Sequence, residues 1–377
     1  MKLVVFGLSI SSSWGNGHAT LWRGLYAALT QLGHRVLFFE HDAPWYAQAR
    51  DWSAQDGGLV LYPEWTSIRA RAERELADAD AAIVTSYCPD ALSAREAMLE
   101  AARPLRVFYD LDSPVTLNTL ASGEEVPWLD DRGLADYDLV LSYAGGPALR
   151  ELERVLDAPR TAALYGHVDP AVHSPAPPKD HYRADLSWIG TYAADRQPAL
   201  EELFVNVARA RPQRRFVIAG AQYPQDFPWG ENVWFVRHLP PDEHAAFLCS
   251  SRLVLNVTRA PMARMGWCPS GRLFEAAACG TAVLSDDWAG LSDFYTPGEE
   301  ILLARNTQDA LDAIDLPDAT LQQIGQRARE RTLAEHTSMH RARQLVEMLE
   351  ETSRNRLMSD FAHWQPTACT AATAAST

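Results

Sequence analysis

The sequence lacks any surplus of positive charge: 34 Lys and Arg stand against 49 Asp and Glu, a formal net charge of −15 at pH 7. That balance excludes general attraction to nucleic-acid backbones or anionic membrane surfaces, because phosphates must be met by clustered cations. A phosphate that binds this chain is therefore held locally. Cysteine is also scarce. Five residues, Cys88, Cys249, Cys268, Cys279 and Cys369, are odd in number and contain no Cys-x-x-Cys, which argues against a disulfide framework and against a zinc ribbon and points to a reducing, cytoplasmic setting. No apolar run approaches the length needed to cross a bilayer, so no transmembrane segment is expected. The run from Leu3 to Ile10 follows a single Lys2 and has no small-residue cleavage pattern, so it reads as a buried strand and not as a signal peptide. There is no internal sequence repeat.

What is present is an ordinary globular composition, 47% hydrophobic and 22% charged over 377 residues, long enough for two domains. Short apolar runs alternate with helical patterns: Leu3–Leu8, Val36–Glu40, Leu59–Tyr62, Ala81–Ser86, Arg106–Asp110, Leu139–Tyr143 and Ala162–Tyr165 are the expected strands. Between the first two, Leu21, Leu25, Leu29 and Leu32 recur at helical spacing, and Gly33 ends the helix. A proline-rich stretch without periodicity, His167 to Tyr182, interrupts the alternation. A second series then begins at DLSWIG and continues through RFVIAG, VWFVRHL, RLVLNVT and TAVLSDD.

The pattern predicts an α/β fold of two Rossmann-like, doubly wound domains facing an interdomain cleft. The expected limits are an N-terminal domain over 1–168, a linker over 169–182, a C-terminal domain over 183–335, a helix over 336–360 that packs back on the N-terminal domain, and a disordered tail over 361–377. The helical pattern from Leu321 to Leu349 reads as one long, largely exposed helix. Ligands of such sheets sit at the carboxyl ends of the strands.

Two segments carry chemistry. The first, SSSWGNGHAT over 11–20, follows the opening strand. It matches a dinucleotide fingerprint in part, with Gly15 and Gly17 in place, Thr20 where a small residue is required, and Glu40 at the right separation for a ribose. That leaves a nicotinamide-dependent oxidoreductase as one reading. The loop is too long for the fingerprint and carries Trp14, which favours a second reading, a substrate cradle of Trp14, Gly15, Asn16 and Gly17 with the His18 imidazole aimed into the cleft. A third reading is a plain turn with His18 capping a helix.

The second segment spans Leu255 to Ile301. At about 100° per residue a helix through Arg272 places Leu273, Phe274, Ala277 and Ala278 on one face and Arg272, Glu275, Ala276 and Cys279 on the other. Ser270 and Gly271 open the helix, whose free amides and positive dipole end suit a phosphate, with Arg272 adding a planar donor fork. Glu275, one turn on, suits a pair of ribose hydroxyls. The bland alternative is an exposed Arg272–Glu275 ion pair.

This run, with SWGNGHAT, FFEHDAPWYA, FYDLDSPVTL, YGHVDP and WIGTYAADR, resembles bacterial GT-B glycosyltransferases of the spore-maturation-protein CgeB-like group over most of the chain. The resemblance implies an enzyme of the hexosyltransferase class that moves a sugar from a nucleoside-diphosphate sugar to a hydroxyl-bearing acceptor, a glycan or a small metabolite, with the donor as co-substrate, no resident cofactor, no metal and no nucleic acid. It places Gly190 and Thr191 near the donor phosphates, pairs Arg196 and Arg272 with the diphosphate and Glu275 with the ribose, and adds Arg259 and Arg264 as further charge.

Asp110 and Asp112, at a strand end, are expected to orient His18 or bind acceptor hydroxyls. Their Asp-x-Asp spacing also matches a metal motif of a different glycosyltransferase fold, which has one domain of this kind and not two. His18 is the candidate general base. One departure stands out: many retaining GT-B enzymes place a Glu eight residues before the equivalent of Glu275, where this chain has Trp267. That departure leaves a non-catalytic sugar-binding protein of the same fold as a further reading.

Overall fold

A computed structural model describes residues 1–363 of the chain. Two parallel sheets organise it. The first has β1 (Lys2–Gly7), β2 (Arg35–His41), β3 (Leu59–Tyr62), β4 (Ala81–Thr85), β5 (Leu105–Asp110), β6 (Leu139–Ser142) and β7 (Thr161–Ala163), in the spatial order 3-2-1-4-5-6-7. The second has β8 (Ala184–Ile189), β9 (Phe216–Gly220), β10 (Val233–Arg237), β11 (Ser251–Asn256), β12 (Ala282–Asp286) and β13 (Leu302–Ala304), in the order 10-9-8-11-12-13. Both are doubly wound, and the strand order reverses beside β1 in one and beside β8 in the other, so each domain presents its ligand crevice at the carboxyl end of its first strand.

The apolar runs form strands because both faces of each sheet are covered. In β1, Leu3 and Val5 pack with Trp22, Leu25 and Leu345, whereas Val4 and Phe6 pack with Ala72, Val84 and Met98 on the opposite face. All of these are at most 2% exposed. In the second domain Leu186 and Trp188 face Phe204 and Leu255, while Val217 and Val254 face Leu273 and Phe274.

The long helix expected from Leu321 to Leu349 is two helices, Asp318–Glu335 and Ser338–His363. The break is made by the start of the linker: the His336 carbonyl accepts from the Val168 amide at 3.1 Å, and the Ser338 amide donates to the Val168 carbonyl at 2.8 Å. Tertiary pairing wins over a helical pattern that is locally continuous. Each helix keeps an exposed face and buries the other: Leu321, Ile324 and Ala328 are buried in the second domain, and Ala342, Leu345 and Leu349, fully buried, join the first domain's core. The last helix therefore straps the chain's end to the first domain, and Gly24 permits the contact: a Cβ there would lie 2.5 Å from Ser338 Oγ. Residues 361–363 continue that helix, and the rest of the tail expected to be disordered lies outside the described residues.

Candidate functional site

A cleft of about 690 Å³ opens between the domains, lined from one side by the loop after β1 and the ends of β4 and β5, and from the other by the loop after β8 and the helix Gly271–Ala278. Of the residues singled out from sequence, Gly15, Asn16, Gly17, His18, Asp112, Gly190, Thr191, Arg196, Arg259, Ser270, Gly271, Arg272 and Glu275 line it. Three do not. Arg264 donates to Asn118 Oδ1 at 3.1 Å in a separate interdomain groove. Trp14, 37% exposed, is not part of the cleft wall. Asp110 is fully buried beneath it.

The wall contributed by the second domain is built around Trp188. The Arg272 guanidinium lies 4.2 Å from the Trp188 ring centre and that of Arg196 lies 5.4 Å from it, so one indole carries two cations. The Nε atoms of both arginines are shielded from solvent and have no hydrogen-bond partner; Arg196 spends one Nη1 bond on the Thr191 carbonyl at 3.2 Å. Burial and the neighbouring Arg196 push the Arg272 guanidinium down to about 10, and burial and Arg259 lower Arg196 in the same sense. Both remain charged at neutral pH. Arg259 differs, because Asp195 holds it at 3.0 Å.

The glycines at this wall are steric requirements. A Cβ on Gly190 would come 2.8 Å from Trp188 Cζ2 and 3.1 Å from Arg272 Nη2, and one on Gly220 would come 2.0 Å from the Gly190 carbonyl. The helix Gly271–Ala278 begins at Ser270, whose hydroxyl donates to Asn256 Oδ1 at 2.6 Å and does not cap. Its first amides thus face the cleft without a side-chain cap, beside two uncompensated guanidiniums. The expected alternative, an Arg272–Glu275 ion pair, gives way to the stack on Trp188.

The opposite wall is the serine-rich loop. Asn16 caps the helix Gly17–Gln31 by accepting from the His18 amide at 3.0 Å, and its own amide donates to the Ser9 and Ser12 carbonyls. The capping role belongs to Asn16 and not to His18, whose ring is free to face the cleft. Gly15 is required for its φ of +61°. His18 Nε2 lies 3.7 Å from Asp112 Oδ2, while Nδ1 is shielded and unpartnered. Asp110 supports Asp112 from below, accepting from the Asp112 amide at 3.1 Å and from Thr116 Oγ1 at 3.2 Å, with burial pushing its carboxyl up to about 6.

Glu40 cannot serve a ribose. It is fully buried and accepts from Ser9 Oγ, Ser11 Oγ and the amides of Ile10 and Ser11 at 2.6–3.0 Å, so the carboxylate that sustained the nicotinamide reading is the anchor of the loop.

Two cleft features are absent from the sequence reading. Tyr87, at the end of β4, holds φ +64° and sets its ring 5.4 Å from that of His18; burial and Asp112 raise its hydroxyl pKa well above the ordinary range. A non-glycine in the left-handed region at a sheet's carboxyl end is a strained position of the kind that collects at functional sites. His244 lines the cleft from the start of the helix His244–Cys249. Trp267 has φ +45°, donates its Nε1 to Asp293 at 2.7 Å and seats its indole against Gly146 and Gly290, outside the cleft wall.

Residues 196–347 match the family model described as Glycosyl transferase-like. No curated protein sequence matches the chain. Solved structures do. Sucrose-phosphate synthase from Thermosynechococcus elongatus is 14% identical, with 96% of this chain and 100% of that one covered at a TM-score of 0.66. Anabaena HepE in complex with UDP-glucose is 14% identical, with 93% and 100% covered at 0.66. An alpha-glucosyltransferase in complex with UDP and DNA is 12% identical, with 93% and 99% covered at 0.67. The two facing parallel-sheet domains give this chain the GT-B architecture of those structures, and residues 196–347 of its second domain carry the glycosyl transferase-like pattern.

Proposed function

We propose that the protein transfers a sugar from a nucleoside-diphosphate sugar, with the diphosphate received at the amino end of the helix Gly271–Ala278 between Arg196 and Arg272. The observation that carries this is the pair of shielded guanidiniums over Trp188, which have no anionic partner of their own. A half-buried guanidinium with a shielded, unpartnered Nε is incompletely solvated, and a diphosphate supplies the compensation. Glycosyl transfer needs that same group stabilised as it leaves, so the arginines and the helix amides provide the electrostatic assistance from the chain's own atoms. Gly190 and Thr191 form the turn beside the phosphates, and Glu275 accepts from the ribose hydroxyls. The binding of UDP-glucose by HepE, which shares the fold, supports the class of donor.

In this reading the acceptor enters from the loop of Gly15 to His18. His18, whose Nε2 lies 3.7 Å from Asp112 Oδ2 in the cleft wall, takes the acceptor hydroxyl's proton as the bond to the anomeric carbon forms and the bond to the diphosphate breaks. The acceptor is a glycan or a small metabolite. A net charge of −15 disfavours nucleic acid, although the alpha-glucosyltransferase of the same fold was solved with DNA. We assign the chain to the CgeB-like group and to the cytoplasm on its motifs and its unpaired cysteines. The described residues contain no helix long and apolar enough to cross a membrane.

The test is a titration with UDP, GDP, ADP and TDP, read by melting temperature and calorimetry. A ligand at 100 times its Kd adds about 2.7 kcal/mol. One of them is expected to stabilise the wild type and to lose that effect in Arg272→Ala. Indifference of the wild type to all four overturns the proposal. Release of free sugar from the matching donor separates a live enzyme from a sugar-binding relative.

A further inference from the structure

Three residues from three separate elements converge at the edge of the donor site without contacting one another by hydrogen bonds. His173 comes from the linker, His244 from the start of the helix His244–Cys249, and Glu275 from the helix Gly271–Ala278. One ligand atom of each lies within 4.8 Å of those of the other two. His173 is 2% exposed, yet neither of its ring nitrogens has a hydrogen-bond partner. A buried imidazole with both nitrogens idle is rare, and an ion or an ordered water is the usual explanation.

We propose that His173, His244 and Glu275 form a binding site for a divalent transition metal of the Zn²⁺ type, with its remaining coordination position open to the cleft. The donor set fits the ion: two imidazoles and one carboxylate are a recurrent zinc combination, whereas Mg²⁺ and Ca²⁺ call for oxygen donors. His244 is prepared for the task. Its Nε2 lies 3.2 Å from the Leu239 carbonyl; a carbonyl only accepts, so Nε2 carries the proton and Nδ1 keeps its lone pair, as second-shell bonds do for metal-bound histidines. His173 is held by a turn in which the amides of Val172 and His173 donate to the Asp169 carbonyl at 3.0 and 2.9 Å. Bonds of about 2.1 Å to a tetrahedral ion set donors about 3.4 Å apart, which side-chain rotations of roughly 1 Å achieve.

The site shares Glu275 with the donor ribose, so metal and nucleotide compete for one carboxylate. That consequence rests on the donor reading above; the metal site itself does not. Occupied by metal, Glu275 is withdrawn from the ribose and the linker is tied to the helix that holds the diphosphate, which makes the ion an inhibitor and not a cofactor of transfer.

The experiment uses the full chain, stripped with a chelator and titrated with ZnCl₂ by calorimetry, with elemental analysis after dialysis. One Zn²⁺ per chain is expected. His173→Ala and His244→Gln should each weaken it at least about tenfold, since loss of even a second-shell partner costs 10–100-fold. His173→Ala should still respond to whichever of the four nucleoside diphosphates stabilises the wild type, and its cooperative thermal melt shows that it is folded. No stoichiometric Zn²⁺ in the wild type, or equal binding in both variants, overturns the site. The nucleoside diphosphate that binds the wild type and Zn²⁺ should weaken one another by the same factor; simultaneous binding without interference overturns the sharing of Glu275. Zn²⁺ binding lost in the variants, in a protein that ignores every nucleotide, leaves the metal site standing and removes the donor reading, and the reverse pattern removes the metal site alone.

Discussion

The carbonyl of Trp267 accepts a 2.9 Å hydrogen bond from the amide of Gly145, and the two residues belong to different domains. The Trp267 amide donates in turn to the Ala289 carbonyl at 2.7 Å, and its indole fills the space that side chains on Gly146 and Gly290 would occupy. Trp267 is thus a strut between the domains, and the motif resemblance would set a sugar-contacting acid at this position.

Replacing it should cost stability whatever acid is supplied. Trp267→Glu is expected to lose the indole packing, at about 2–3 kcal/mol, below the 3–5 kcal/mol of a fully buried aromatic because the residue is only half-buried. It should gain no turnover. Urea unfolding and a donor-hydrolysis assay check both halves, and a more active Trp267→Glu variant would show that the strut has displaced a needed carboxylate.

Gly190→Ala is the sharpest steric probe of the donor wall. The added methyl would press on both Trp188 and Arg272, so the guanidinium must move. Nucleotide affinity should fall at least about tenfold, or 1.4 kcal/mol, and the free protein should lose about 1–3 kcal/mol of stability because the methyl overpacks the fully buried Trp188. Equal affinity by calorimetry would show that Arg272 does not touch the phosphates.

His18→Ala and Asp112→Asn separate the catalytic role from binding. General-base assistance contributes about 10²–10⁴-fold, and His18 sits across the cleft from the arginines. The expected result is a fall of that order in kcat for His18→Ala with nucleotide Kd unchanged, and a smaller fall for Asp112→Asn. Full turnover in His18→Ala would assign the proton to another group, the Asp112 carboxylate 3.7 Å from the imidazole being the nearest acceptor.

Much of the fold was legible. Parallel strands buried on both faces write themselves as continuous apolar runs, so twelve of the thirteen strands have a counterpart in the sequence pattern; the one missed, Leu302–Ala304, has three residues and no room for a pattern. The arginine–helix wall was legible too, because Ser270, Gly271, Arg272 and Glu275 lie within six positions of one another. What stayed hidden depends on distant segments. Nothing local marks His173 and His244 as neighbours, ends the helical run at His336, or turns Glu40 inward onto serine hydroxyls. Tyr87 left no signal either, since a strained φ is imposed by the sheet end and not by residue type.

Glu40 yields a prediction of its own. Four hydrogen bonds converge on this fully buried carboxylate, so Glu40→Ala leaves two amides and two hydroxyls without an acceptor. Each unsatisfied group costs about 1–3 kcal/mol. The loop of Ser9 to Gly17 should loosen, with faster amide exchange there than in the remainder of the first domain. Stability should fall by several kcal/mol, and NADH should not bind to wild type or variant. Saturable NADH binding would restore the nicotinamide reading.

The response to acid is set by groups that oppose one another. Burial holds His167 and His336 neutral, with pKa values lowered to about 3, against about 6.5 in the unfolded chain. A group depressed on folding contributes stability that is present above its unfolded pKa and is lost as pH falls, here from about 6.5 toward 3. Asp110 and Asp286 do the reverse. Burial pushes both up to about 6, so their neutral forms favour the fold at low pH and that contribution is lost as pH rises from about 4 through 6. Between pH 4 and 6 the two pairs cancel in part, and the wild type should show a shallow slope. Single variants expose it. His336→Gln keeps an acceptor for Arg341, whose Nη2 lies 3.0 Å from His336 Nδ1, and removes one titration; its deficit relative to wild type should shrink between pH 7 and pH 4.5. Asp110→Asn should lose ground relative to wild type over the same fall, because the wild-type carboxyl gains a proton that the amide never needed. Urea unfolding at the two pH values measures both differences, and parallel pH profiles for all three proteins would show that neither group is held away from its ordinary ionisation by the fold.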